Sequence, residues 1–457
     1  MSLQAEFQVI IMAGGKGSRM PEITSGKPKC LLPVGQKPLI WFPLNNLHLC
    51  GFTECIIVVL DNQKHEVQST VDKFNLGIKA EYFSIPSNED LGTADSLRLL
   101  HDKLHSDVLV LPCDLITNTD LNSALDIFRT HNATITSLFM KPQQPDAVLV
   151  PGPKPKHKPE RDLVGIDVQT SRLVFLASLS DFETDVSIPL GLMKKHPHIK
   201  MYSTLVDSHV YVMRNWVIGY LKNEEKISTL KGEFLPHIVR KQLAKVPQKV
   251  EEANASIVDS HHSDDIFSFA KEDDMKLLVR EMSAFNDHAG DSNPTYHGDC
   301  IRCFAHITDA DEFGVRVNTL PVYCSVNNKI IENWSKIVPN EPLVLKNPKA
   351  DIKSTQVDDK CVIWEGAKLK EKTSFKESII GSGVEVNSFS RVFNTILMKN
   401  VVVKERVALE NCIVSDGAII GTGTQLKSCL VGSHYNVPDQ SQHCNEVLTD
   451  VAQLMEF

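Results

Sequence analysis

The sequence predicts an α/β domain with a doubly wound, mostly parallel sheet, followed by a three-sided parallel β-helix. Three observations carry that expectation. Short apolar, β-branched runs alternate with segments of helical spacing near the N-terminus. A glycine loop, "GGKGSRM", stands directly after the first of those runs. The C-terminal part repeats an apolar pattern every 17 residues.

The strand runs are "QVIIMAG", "ECIIVVL", "AEYFSIP", "DVLVLPCD" and "TITSLFMK". Between them "PLIWFPLNNLHLCGF", "KHEVQSTVDKFN", "TADSLRLLHDKL" and "TDLNSALDIFRTH" carry helical spacing. Ligands in such sheets bind beyond the carboxyl ends of the strands, where the glycine loop falls. After Lys141 a proline- and lysine-rich excursion reads as a solvated loop, with contact to an acidic partner as the alternative. "KGEFLPHIVRKQL" is amphipathic and closes a first domain, residues 1–245. Residues 246–345 are expected to be a linker and connecting segment with some strands. Within them 246–294 are polar and acidic, including "HHSDD", and read as a partly disordered linker more than a metal site.

Residues 346–457 form the β-helix, of about five 17-residue coils. One apolar column is Ile363, Ile380, Leu397, Val414 and Val431, and a second is Leu369, Val386, Val403, Ile420 and Val437. A third is Phe375, Val392, Leu409 and Leu426. All fourteen positions are apolar, which at this composition has a chance probability of about 10⁻⁵. Spacings of six, six and five exclude an amphipathic helix and suit one strand on each of three sides. Ordinary antiparallel strands, the competing reading, do not enforce one fixed period. The shape resembles the left-handed hexapeptide-repeat β-helix, a scaffold that meets a partner or packs on another domain.

Bulk properties narrow the function classes. The chain has 457 residues, 42% hydrophobic and 23% charged, as expected of two or three globular domains. A formal net charge of −9 argues against a general nucleic-acid binder. No apolar run reaches the roughly 18 residues of a membrane span, and the N-terminus lacks the pattern of a secretory signal. Eleven cysteines without a framework point to a reducing compartment, so the cytosol is expected. "DCIRCFAH" supplies Cys300, Cys303 and His306, with Cys324 as the one nearby fourth candidate, and buried thiols are favoured over zinc.

The candidate chemistry lies at three strand ends. Gly14, Gly15 and Gly17 let the backbone approach a polyphosphate, Arg19 offers a bidentate fork and Lys29 a point charge. No Gly-Lys-Ser/Thr follows, so this is not a P-loop, and Met20 stands where a dinucleotide fingerprint needs its third glycine. Gly92, Thr93 and Ala94 sit at a strand-to-helix turn suited to backbone contacts with a base. Asp114 falls just past a strand end, where a carboxylate can hold Mg²⁺ between phosphates. Singly each is a common surface feature; together they favour a nucleotide site.

Gly14-Gly15-Lys16-Gly17-Ser18-Arg19 and Pro28-Lys29-Cys30-Leu31-Leu32-Pro33 resemble the signature of the sugar-phosphate nucleotidyltransferase superfamily, a Rossmann-like fold often extended by a left-handed β-helix. The resemblance implies Lys29 as the activating lysine, Gly92–Ala94 as the base contact and Asp114 as the first metal aspartate. The second metal aspartate of active members, in an aromatic-rich turn, has no counterpart between Leu243 and Asn347. Asp264, Asp265, Asp273 and Asp274 are the substitutes available, without supporting neighbours.

A closer resemblance runs from "IMAGGKGSRM" through "EFLPHIVRKQ" to "NEVLTDVAQLMEF". It is to the gamma-subunit family of eukaryotic translation initiation factor 2B, the guanine nucleotide exchange factor that recycles initiation factor 2 from its GDP to its GTP form. That resemblance implies pairing with the epsilon subunit, regulatory alpha, beta and delta subunits, and initiation factor 2 as substrate, with no direct nucleic acid or membrane. It implies no intrinsic catalysis: exchange is driven by a helical-repeat domain of epsilon, for which the sequence beyond the last repeat leaves no room. Lys29 is then vestigial. Asp114 is an incomplete Mg²⁺ site, and the pocket holds either no cofactor or a nucleotide or sugar nucleotide with Mg²⁺. The alternative implied is an active Mg²⁺-dependent sugar-1-phosphate nucleotidyltransferase similar to mannose-1-phosphate guanylyltransferase, using Lys29 and Asp114.

Overall fold

The computed structural model describes residues 6–142, 149–153, 161–182, 185–244, 265–270, 299–309 and 311–450, with Met275, Leu278 and Met282. The N-terminal half is built on a seven-stranded sheet. In chain order its strands are β1 (Phe7–Met12), β2 (Glu54–Leu60), β3 (Lys79–Ile85), β4 (Asp107–Pro112), β5 (Ile135–Met140), β6 (Val206–Met213) and β7 (Cys303–Ile307). They lie side by side as β7-β5-β6-β4-β1-β2-β3. Only β6 runs against its neighbours. The helices expected between the first five strands are α1 (Trp41–Leu49), α2 (Lys64–Asp72), α3 (Thr93–Leu100) and α4 (Leu121–Thr130).

The strands are apolar on both sides because both faces are covered. Val9 and Ile11 face α1 and α4 through Leu44, Leu47, Leu125 and Phe128. Ile10 faces Leu97 and Leu100 of α3 and Val217 and Leu221 of α5 (Asn215–Asn223). The segment Leu230–Lys241 packs Phe234, Leu235, Ile238 and Val239 into that second core.

The chain does not leave this half at residue 245. Strand β7 forms the sheet edge beside β5, and Gly314–Arg316 pairs antiparallel with Leu115–Thr117. An 18-residue helix, α6 (Leu320–Ile337), follows. The expected connector over 246–345 therefore also supplies core of the N-terminal half. The "HHSDD" run and most of 246–294 lie outside the described residues. The expected solvated excursion after Lys141 is pinned at one point: Gly152 N–H donates to Ser428 O at 2.7 Å, and Pro151 is buried.

From Asp351 to Leu448 three six-stranded parallel sheets form a left-handed three-sided prism. The predicted columns are its inward residues: Leu397 and Val403 are both fully buried, and Val392 and Leu409 nearly so. Six strands per face exceed the five coils expected. The first coil escapes the pattern because Val357 pairs with Phe375, one residue more than the period. The last escapes because His443 takes the inward place beside Leu426. Each corner uses a left-handed residue, so Gly366, Gly383, Asn400, Gly417 and His434 form one such column with φ of 55–70°. Asn394, Asn411 and Ser428 form another, linked through their side chains at 3.1 and 3.0 Å.

One outer face of the prism is apolar as well. Val362, Ile379, Ile396, Ile413 and Leu430 are buried against α6 and the N-terminal half. Trp334 of α6 stacks on Trp41 at 6.2 Å, and Tyr323 donates its hydroxyl to Pro33 O at 2.8 Å. Trp364 donates to Gly35 O at 2.8 Å, and Lys27 pairs with Asp416 at 2.8 Å. The prism is thus seated directly behind the glycine-loop segment.

Candidate functional site

The glycine loop begins where β1 ends. Gly17 needs its lack of side chain: φ is +79°, and a Cβ would lie 2.9 Å from the Thr24 side chain. Gly14 is close-packed too, with a Cβ position 2.7 Å from Ile85. Gly15 is different. It is exposed, and a Cβ there would meet nothing within 4 Å. Arg19 is exposed at the end of the loop. Lys29 follows in a single helical turn, Lys29–Leu31, with its side chain only 13% exposed.

Asp114 lies just past β4 and is 2% exposed. Its Oδ2 accepts from the Lys29 ammonium, and its Oδ1 accepts from Arg316 Nε at 2.9 Å. Arg316 Nη1 also bonds His209 Nε2 at 2.6 Å. His209 is placed by an irregularity in β6, where its own φ is +58° and Asp207 accepts its N–H at 2.7 Å. Burial alone would raise Asp114; the Arg316 guanidinium and the Lys29 ammonium overcome it and hold the carboxyl well below the usual carboxylate range. Burial and the adjacent Arg316 hold the His209 imidazole well below its usual value, so it is the neutral acceptor of that bond.

Mg²⁺, which the fold implies, does not fit Asp114 in this arrangement. Both carboxylate oxygens already accept from cationic side chains, and a metal ion would have to displace one of them. Of the substitutes for a second aspartate, Asp265 pairs with Lys241 at 3.4 Å, and the other three lie outside the described residues. Among the described residues no cluster of three His, Cys, Asp or Glu side chains could hold a metal. Cys303 is instead packed in the sheet core, where burial pushes its thiol up to about 12.

The turn expected to meet a base is already filled by the chain itself. Ala94 N–H donates to Ser228 O at 2.8 Å, and Leu230 N–H donates to Thr93 Oγ1 at 2.9 Å. Asp95 accepts from Gly92 N–H at 2.9 Å and from Ser228 Oγ at 2.6 Å. A Cβ on Gly92 would sit 2.2 Å from Ser228 O. The structure therefore joins Lys29 and Asp114 directly, leaves Gly15 exposed at the loop, and closes Gly92–Ala94 with the 228–230 segment. Sequence reasoning missed Arg316, His209 and Ser228. Nothing in "GVRV" or "SHVYV" signals them; only the pairing of Gly314–Arg316 with Leu115–Thr117 brings Arg316 to Asp114.

Comparison with known proteins agrees with this architecture. A nucleotidyl transferase family model matches residues 8–148, and a GlmU-like C-terminal hexapeptide model matches residues 359–453. The chain is 27% identical over 459 residues to translation initiation factor eIF2B subunit gamma of Schizosaccharomyces pombe, covering 99% of this chain and 92% of that one. It is 34% identical over 244 residues to the gamma subunit of Caenorhabditis elegans, covering 52% and 59%. To the epsilon subunit of S. pombe it is 23% identical over 242 residues, covering 52% of this chain and 35% of that one.

Proposed function

We propose, from the chain's membership of the eIF2B gamma-subunit family, that it is a non-catalytic subunit of the factor that returns initiation factor 2 from its GDP to its GTP form. In this reading it scaffolds the epsilon subunit, helps dock initiation factor 2, and works in the cytosol beside alpha, beta and delta subunits. Epsilon shares detectable similarity with this chain, which supports a pairing of two related folds. Among the described residues no helix is long and apolar enough to cross a membrane.

One observation carries the non-catalytic part: the carboxylate that should grip Mg²⁺ is consumed by Lys29 and Arg316. Nucleotidyl transfer needs that metal to neutralise the triphosphate, and it needs Lys29 free for the transition-state charge. Here the two groups spend their charge on each other.

The test is direct. Purified chain incubated with GTP, mannose 1-phosphate and Mg²⁺ should release no pyrophosphate above background. Steady release that vanishes in Lys29→Ala would make the chain a working nucleotidyltransferase and end this reading. Affinity isolation of the native protein should bring down an epsilon subunit and initiation factor 2; recovery as a lone, active enzyme would count equally against it.

A further inference from the structure

We propose that the crevice between α6 and one edge of the prism is a docking groove for an extended, proline-containing segment of a partner polypeptide. This groove shares no residue with the glycine-loop pocket and goes beyond the subunit role proposed above.

The edge repeats with the coils. Glu377, Asn394, Asn411 and Ser428 follow one another every 17 residues, each in the left-handed region with φ of 44–52°. Beside them on the outer face run Ile379, Ile396, Ile413 and Leu430. Each coil thus offers the same pair, a corner carbonyl and an apolar side chain, and the pairs succeed one another at about 4.8 Å.

The chain itself shows what this edge accepts. Residues 149–153, Leu-Val-Pro-Gly-Pro, form a strap at the coil of Ser428 and Leu430. Gly152 N–H donates to Ser428 O at 2.7 Å. The strap backbone comes so close that a Cβ on Gly152 would lie 2.7 Å from Leu430 Cδ1, and Pro151 is buried. The seat is therefore made of one backbone hydrogen bond, a buried proline ring and an apolar floor.

The neighbouring coils carry the same seat. A crevice of about 160 Å³ adjoins the strap, lined by Asn328 and Ile331 of α6, by Asn394 and Asn411 of the edge, and by Ile396 and Ile413 of the floor. Asn411 O and Asn394 O stand where Ser428 O stands, one and two coils away, and neither accepts a hydrogen bond among the described residues. Their side chains are spent along the edge, Asn394 Nδ2 on Asn411 Oδ1 at 3.1 Å and Asn411 Nδ2 on Ser428 Oγ at 3.0 Å. Leu149 lies at the mouth and is 72% exposed. An occupant continuing the strap's mode donates a backbone N–H to one of these carbonyls, lays an apolar side chain on the isoleucines and covers Leu149. Proline suits such a segment because it holds the backbone extended before binding, which lowers the ordering cost.

Saturation-transfer NMR of the full chain with the probe acetyl-Leu-Val-Pro-Gly-Pro-amide tests this. Saturable transfer is expected, with Kd on the order of 1 mM for so short a peptide. The same peptide with sarcosine in place of glycine lacks the N–H donor and should bind about fivefold more weakly; that comparison needs no protein variant. Asn328→Trp, at an exposed position of α6, should fill the crevice and weaken binding at least about tenfold, with folding confirmed by thermal melts. Gly152→Ala should loosen the strap and raise the signal, since Ser428 O then becomes available to the probe. Absence of transfer, equal binding of the sarcosine peptide, or an unaffected Asn328→Trp would overturn the proposal. A chain that dimerises in sedimentation velocity, and ceases to in Asn328→Trp, would assign the groove to a second copy and overturn it equally.

Discussion

In the prism, Val403 packs between Val386 and Ile420, its counterparts one coil either side. In the pocket, Asp114 meets Lys29 and Arg316, which are 85 and 202 residues away. The first arrangement repeats one local rule, so each coil's apolar residues are covered by the next and the stack is a sum of similar interfaces. The second is made once, by three segments that only the finished sheet brings together. The prism is held by burial, and each inward side chain contributes roughly 1.5–3 kcal/mol. The pocket is held by ion pairs on one buried carboxylate, which stabilise little as a set but cost much when one member is removed.

That contrast can be broken from either side. The largest effect is expected for Val403→Asp, which puts a carboxylate in a fully buried, entirely apolar column. It should remove at least about 4 kcal/mol and unfold the prism, seen as rapid proteolysis of the C-terminal half. Val402→Asp, one residue earlier on the outer surface, should change stability by less than about 1 kcal/mol; equal losses at the two positions would mean that the columns do not organise this half.

Next comes Asp114→Ala. It strands two cations against each other and should cost about 3–5 kcal/mol in urea unfolding. A loss below about 1 kcal/mol would show that the cluster is not the coupled unit described. A smaller effect belongs to the tie between the regions, Lys27 to Asp416, whose side chains are 12% and 20% exposed. A double-mutant cycle with alanine at both should give a coupling of about 1 kcal/mol, and zero coupling would detach the loop from the prism energetically.

A last effect, read in pH rather than in a single stability difference, is titration in the N-terminal half. Burial, helped by Arg172 and Arg302, holds His131 down to about 4, and its ring is stacked on Phe304 at 4.4 Å. Its folded pKa lies below its unfolded value, so the unfolded chain binds the extra proton between. Stability from this group is complete above about pH 6.5 and is lost as the pH falls towards 4. In His131→Phe the slope of stability against pH across that window should flatten by up to one proton. An unchanged slope would mean that His131 is solvated in the fold.

Legibility followed the same division. The five N-terminal strands, the four helices between them and the inward columns were visible as periods in the sequence. The apolar outer column Val362, Ile379, Ile396, Ile413 and Leu430 is equally periodic but went unread, and only the structure shows that α6 covers it. Helix α6 falls inside residues 246–345, which read as a connecting segment, so the sequence does not announce it. Asp114 could be placed past its strand, since strand ends are local. Its partners could not, because a three-residue strand carrying Arg316 has no period to detect.

By itself, then, the sequence determined what repeats or alternates: an α/β sheet with a glycine turn, and a stacked prism. Those follow from where each side chain must point, which depends on near neighbours in the chain. Only the tertiary structure decided what the turn can do. Whether Lys29 and Asp114 face a metal or each other, and whether Gly92–Ala94 meets a base or Ser228, depends on groups brought from more than a hundred residues away. Charge pairing in a buried site is a property of that assembly, and no local pattern encodes it.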